Sequence, residues 1–214
     1  ASEDSRFKSM AEYYIFESRF MLKDHEYVVA NGDSMYAAVP KERKAHLARI
    51  ISESCLVLGD VDKARKYYEL SGSGADVGNN RSDWFYSGSM LYAIDDYEGA
   101  IRSYSNMTDR TDSLGQIANY HLGYSYIQTK NKVAALTAFR DAAQVWYDAA
   151  MAEDAYFNWA KLAFDINHDP SVFNDYLKKY PAKEQSDRIN NYIAVAALYD
   201  RDYATAIEAY DRID

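Results

Sequence analysis

Two stretches of this chain say the same thing: W-F-Y-S-G-S-M-L-Y-A-I-D-D-Y-E-G-A-I-R-S-Y from Trp84 to Tyr104, and N-Y-H-L-G-Y-S-Y-I-Q-T-K-N-K-V-A-A-L-T-A-F from Asn119 to Phe139. Gly88 aligns with Gly123, Ala100 with Ala135 and Tyr104 with Phe139, each pair 35 positions apart. A fixed period of this size marks stacked helical hairpins, none of which can bury its apolar face alone.

The period extends outward. Ala30, Ala64, Ala100, Ala135, Val172 and Ala206 mark one small-residue position in six hairpins, at spacings of 34, 36, 35, 37 and 34. Four residues earlier stand Glu26, Asp60, Asp96, Asn131 and Asp202, read as the residues that start each second helix. Asp and Asn suit that position because the side chain accepts from the free N–H groups of the first turn. The hairpins span about 6–40, 43–71, 81–109, 114–144, 151–181 and 186–214. In the first, Asn31-Gly32 is a turn signal inside the return helix. In the fifth, Asp169 is read as a cap with Pro170 at the first helical position. Glu153-Asp154 reads as a cap and first-turn charge.

Trp84, Gly88, Leu91, Ala100 and Tyr104, then Leu122, Gly123, Tyr126, Ala135, Phe139 and Ala142, resemble the tetratricopeptide repeat pattern W-x2-L-G-x2-Y, A-x3-F. The resemblance covers nearly the whole chain and implies a single all-α, right-handed superhelical solenoid of about six antiparallel hairpins. It also implies a scaffold that binds a peptide or helix of another protein in its concave groove, without chemistry of its own. Gly88, Gly123, Ala160 and Ala194 then sit where the helices of a hairpin cross most closely. Tyr68, Tyr104, Phe139, Tyr176 and Tyr210 plug the contact between successive hairpins.

Carried over by position, the groove face of the first helices holds Phe85, Ser89 and Tyr92, then Tyr120, Tyr124 and Ile127. It continues with Phe157, Lys161 and Phe164, then Asn191, Val195 and Tyr199; Ile15, Arg19, Arg49 and Glu53 come from the first two hairpins. A tyrosine-rich groove suits a partner anchored by apolar side chains, since Tyr offers area at low entropic cost. The same tyrosines also fit simple packing against the neighbouring repeat. Clamping of a terminal carboxylate, which related modules do with Lys, Asn and Arg, does not match these aromatic positions.

Composition narrows the rest. A net charge of −9 with a pI near 5.0 opposes nucleic-acid binding, which needs clustered Lys and Arg. Three prolines and nine glycines favour long helices over an all-β fold. No apolar run is long enough to span a membrane. Ala1 in place of an initiating Met reads as a processing or cloning boundary, and the lack of a polar capping helix before Asp214 implies a longer chain or a borrowed cap. The lone Cys55 excludes an internal disulfide and leaves the redox compartment open.

Gly72–Gly78 follows a helix and lacks the Gly-Lys-Ser/Thr of a phosphate loop, so it reads as a flexible link, 71–80, that can act as a hinge. His25, His46, His121 and His168 fall in separate places with no metal-ligand spacing, so no metal, cofactor or catalytic set is assigned. The run Phe173–Pro181, F-x-x-Y-L-x-x-Y-P, resembles helices of repeat proteins in the Gram-negative envelope, often outer-membrane lipoproteins. That resemblance implies a periplasmic or outer-membrane-associated assembly adaptor, with the cytoplasm as the other setting. Two rival readings are a glycan binder stacking sugars on Trp84, Tyr120 and Tyr124, and a self-assembling structural repeat whose groove is filled by its own kind.

Overall fold

A computed structural model describes residues 3–72, 80–167, 170–181 and 185–213; most of the Gly/Ser link, Asp169 and His168 lie outside them. Among the described residues the chain is all helix: α1 (Glu3–Met21), α2 (His25–Ala38), α3 (Lys41–Val57), α4 (Val61–Leu70), α5 (Arg81–Ala93), α6 (Tyr97–Ser105), α7 (Ser113–Gln128), α8 (Lys132–Gln144), α9 (Ala149–Asn167), α10 (Ser171–Lys179), α11 (Gln185–Tyr199) and α12 (Tyr203–Tyr210). They pair in order as antiparallel hairpins, the fold of a helical-repeat solenoid. None is long and apolar enough to cross a membrane. The hairpins gather into two compact units, Ala1–Met107 and Thr108–Asp214.

One turn chemistry closes five of the hairpins, in both units. Lys23, Gly59, Asp95, Lys130 and Arg201 each adopt a left-handed backbone, with φ of 61, 80, 62, 63 and 60°. The next residue, Asp24, Asp60, Asp96, Asn131 or Asp202, sends its N–H back five residues and its side chain forward to an N–H of the new helix. The helix thus ends and restarts within three residues, with a terminal carbonyl of the old helix and an orphan amide of the new one satisfied. Only Gly59 advertises the left-handed position in sequence, because glycine alone adopts it without steric cost.

The first hairpin corrects the sequence reading. Asp24, not Glu26, caps α2, accepting from Tyr27 N at 3.2 Å. The buried position four residues on is therefore Val28, while Ala30 is exposed. Asn31-Gly32 makes no turn: Asn31 donates to the Tyr27 carbonyl at 2.8 Å within a continuous helix. Gly32 is small because Ile51 of α3 lies where its Cβ would stand, 3.1 Å away.

In the unit 1–107, Phe16, Val28, Leu47, Ile51, Ala64, Tyr67 and Met90 form the core. Tyr68 does reach the following hairpin, its hydroxyl 3.0 Å from Ser87 Oγ. Tyr104 instead fills its own hairpin: a Cβ on Gly88 would sit 2.7 Å from its ring. In the unit 108–214, Phe139 lies the same way on Gly123, again at 2.7 Å. Tyr210 is no plug, being 42% exposed on α12.

The α8–α9 connection is held from inside. Gln116 of α7, almost wholly buried, donates to the Val145 and Asp148 carbonyls (2.6 and 2.9 Å) and accepts from Asp148 N at 2.8 Å. Asp148 in turn accepts from Met151 N at 3.0 Å, so α9 starts before Glu153-Asp154, and neither of these is a first-turn residue.

Candidate functional site

The first helices carry the candidate positions, and the two units place them differently. In the unit 1–107, Phe85 packs at 6.2 Å from the Tyr104 ring and Ser89 Oγ lies 2.9 Å from the Tyr104 hydroxyl. Tyr92 packs on Tyr97, whose hydroxyl donates to Asp95 at 2.6 Å. All three candidates keep partial exposure. Arg49 is committed to the buried Asp83 and lies over the Tyr86 ring. Beside it, burial raises the Glu53 carboxyl, with Arg49 opposing. Arg19 pairs with Asp24 at 2.9 Å, and Ile15 is exposed.

In the unit 108–214 the structure brings Tyr120 and Tyr124 together with Asp154, read from the sequence only as a cap or first-turn charge, and with Asn158, which that reading passed over. Both hydroxyls donate to one oxygen of Asp154, Oδ2, at 2.7 and 3.0 Å. Asn158 donates to that same oxygen at 2.9 Å and to the Tyr124 hydroxyl at 3.2 Å. The two rings meet edge-on at 5.0 Å, and both lean on Phe139. Burial, with the Asp154 charge adding to it, raises both phenols, so they stay protonated donors. Tyr120, Tyr124, Asp154 and Asn158 are each only partly buried. The result is a preorganised patch of aromatic edges, an amide and a carboxylate.

A signal for the missed pair existed. Asp154 and Asn158 follow Tyr120 and Tyr124 by 34 positions, one repeat length, so a polar pair on the neighbouring first helix was there to be matched.

Other candidates scatter. Phe157 belongs to the core rather than the groove: it is 3% exposed, packed at 6.1 Å from Tyr176, with the Arg188 guanidinium 5.0 Å above its ring. The cover comes from α11, which no local pattern reveals. Phe164 and Tyr199 instead line a cleft of about 670 Å³ with Lys132, Asp165, Val195 and Asp200, where Lys132 pairs with Asp165 at 3.4 Å. Tyr199 is 86% exposed. Ile127 and Asn191 are exposed and Lys161 partly so.

No cluster of three or more His, Cys, Asp or Glu able to hold a metal occurs among the described residues. Cys55 is buried, which pushes its thiol up to about 11. Burial likewise pushes His121 down to about 4.

No family model matches the sequence, and no curated protein matches it. Solved structures do. Two crystal structures of MamA superpose with a TM-score of 0.58 each, at 22 and 18% identity, covering 75 and 79% of this chain and 91 and 90% of theirs. BtubC from P. vanneervenii superposes with a TM-score of 0.52 at 11% identity over 92% of this chain and 89% of its own. The likeness is one of fold. It carries no residue-level role.

Proposed function

We propose that this chain is a non-catalytic scaffold that binds a peptide or helix of a partner protein on the aromatic face of its first helices. The observation that carries the reading is the Tyr120–Tyr124–Asp154–Asn158 patch. Its hydroxyls and amide are held in fixed directions before any ligand arrives, so binding loses little further entropy, and its ring edges offer apolar area. The fold supports the reading by analogy only, since helical repeats commonly present such faces.

The test is selection of a displayed peptide library on the chain, followed by titration of the enriched peptides. The double variant Tyr120→Phe/Tyr124→Phe keeps ring packing and removes both donors. A loss of affinity of about tenfold or more, with an unchanged helical spectrum, is expected. Peptides that bind the double variant equally well refute the site.

A setting in the bacterial envelope is part of this proposal only through the Phe173–Pro181 resemblance. Phe173, Tyr176 and Tyr180 are themselves buried, so core packing already accounts for much of that run. Fractionation of the source cells decides the compartment. Self-association is the second reading, favoured by the exposed Tyr199, Tyr203 and Ile207 of the last hairpin, and sedimentation across a concentration series distinguishes it.

A further inference from the structure

A cavity of about 360 Å³ in the unit 108–214 lies apart from the tyrosine patch, lined by Arg140, Gln144, Trp146, Tyr156, Trp159 and Lys179. Three features set it off from the rest of an acidic chain. The first is aromatic: Tyr156 and Trp159 meet edge-on at 5.1 Å, and Trp146 is 56% exposed on the α8–α9 connection. The second is the position of Lys179. Its ammonium stands 4.2 Å from the Trp146 ring centre, 4.9 Å from Tyr156 and 5.3 Å from Tyr180. The third is missing countercharge. Among the described residues Lys179 is in no ion pair, while its neighbour Lys178 is held by Asp175 at 3.5 Å. Arg140, the second cation, is bonded among the described residues only to the adjacent Asp141, at 3.2 Å on an exposed edge.

Rings stabilise a cation through their faces but leave its hydrogen-bond donors unmet. A partly desolvated ammonium among indole and phenol rings, with a guanidinium beside it, is therefore matched by an anion that carries a flat or apolar body. The volume, at the small end of ligand pockets, admits about one or two side chains. Lys179 keeps much of its surface exposed, and the ring contacts on its ammonium end lower that group below the ordinary lysine value through desolvation.

We propose that this pocket is a second recognition site, taking an acidic residue of a partner peptide with an aromatic or aliphatic neighbour. The carboxylate sits between Lys179 and Arg140, and the apolar neighbour lies on Trp146 and Trp159. The inference rests on the scaffold reading above but uses none of its site residues.

The experiment is a fluorescence titration of the full chain carrying Trp84→Phe, which removes the one tryptophan outside the pocket. The probes are N-acetyl-Gly-Asp-Phe-Gly-amide, the same peptide with Asn for Asp, glucuronic acid and tetramethylammonium chloride. The Asp peptide is expected to shift the emission saturably and to weaken as salt is raised. The Asn peptide, and the Asp peptide on Lys179→Met or Arg140→Gln, are expected to bind about tenfold more weakly, the loss of one charge-assisted contact. Tyr120→Phe/Tyr124→Phe leaves this titration unchanged, so the failure of either site is told apart from the other. Equal binding of the Asn peptide, unaltered binding by folded Lys179→Met, or tighter binding of glucuronate or tetramethylammonium overturns the proposal.

Discussion

Replacing Gly123 by alanine is the sharpest probe of how this fold is held. In an exposed helix interior the change gains about 1 kcal/mol, because glycine pays the larger backbone entropy. Here the new Cβ would stand 2.7 Å from Cδ1 and Cε1 of Phe139 and 2.8 Å from Cγ. Carbon atoms prefer about 3.5–4.0 Å, so the ring must retreat by about 0.8 Å or more. It has little room to do so. Phe139 is fully buried, and the Tyr124 and Tyr120 rings stand behind it at 5.1 and 6.2 Å. Those rings are themselves pinned to Asp154. The clash falls at the root of the ring rather than at a flexible tip, which places it in the upper part of the 1–3 kcal/mol range for overpacking, or about 2–3 kcal/mol. Set against the helix gain, the net loss is about 1–2 kcal/mol.

Urea denaturation followed by far-UV ellipticity measures that loss. Because stacked repeats can unfold in parts, amide exchange in α7 and α8 should report it too. In a Phe139→Leu background the obstacle is gone, and the same substitution should turn neutral or favourable. The coupling across the cycle is then about 1–3 kcal/mol. A Gly123→Ala protein that is more stable than the parent by about 1 kcal/mol would refute the close approach, and with it the reason for glycine in both copies of the repeat.

Gln116→Leu removes three hydrogen bonds and strands the Val145 carbonyl and the Asp148 amide of the α8–α9 connection, while the Asp148 carbonyl keeps its bond from Ala152 N; this should cost about 3 kcal/mol or more in the same denaturation assay. Gly59→Ala should cost about 1 kcal/mol, although nothing lies within 4 Å of the added methyl, because its φ of +80° disfavours any side chain; Lys130→Gly should gain a similar amount at φ 63°. His121 is held down to about 4 in the fold, against about 6.5 unfolded, so the unfolded chain takes up the proton first. Its contribution is therefore fully present above about pH 6.5 and is lost as pH falls toward 4, by up to roughly 3 kcal/mol, and His121→Gln should flatten that part of the stability–pH curve.

What the sequence alone determined was the period and the polar and small-residue landmarks within each hairpin. The helix lengths, the caps at Asp60, Asp96, Asn131 and Asp202, and the glycines at 88 and 123 all follow from spacing, because the groups that satisfy them lie within one repeat. The exception was the first hairpin. There Glu26 and Ala30 fitted the period arithmetic, yet Asp24 caps and Val28 is buried, since an N-cap needs a short side chain folding back onto its own first turn. Left-handed Lys23, Asp95, Lys130 and Arg201 were illegible because the turn imposes that backbone on residues that do not favour it. The site depended on contacts one repeat away. Asp154 gathers Tyr120 and Tyr124, Arg188 of α11 covers Phe157, and Lys179 comes to rest among the rings of Trp146, Tyr156 and Tyr180. Helical periodicity says which residues share a face. Only the packing of one hairpin on the next decides which parts of that face are covered and which are left for a partner.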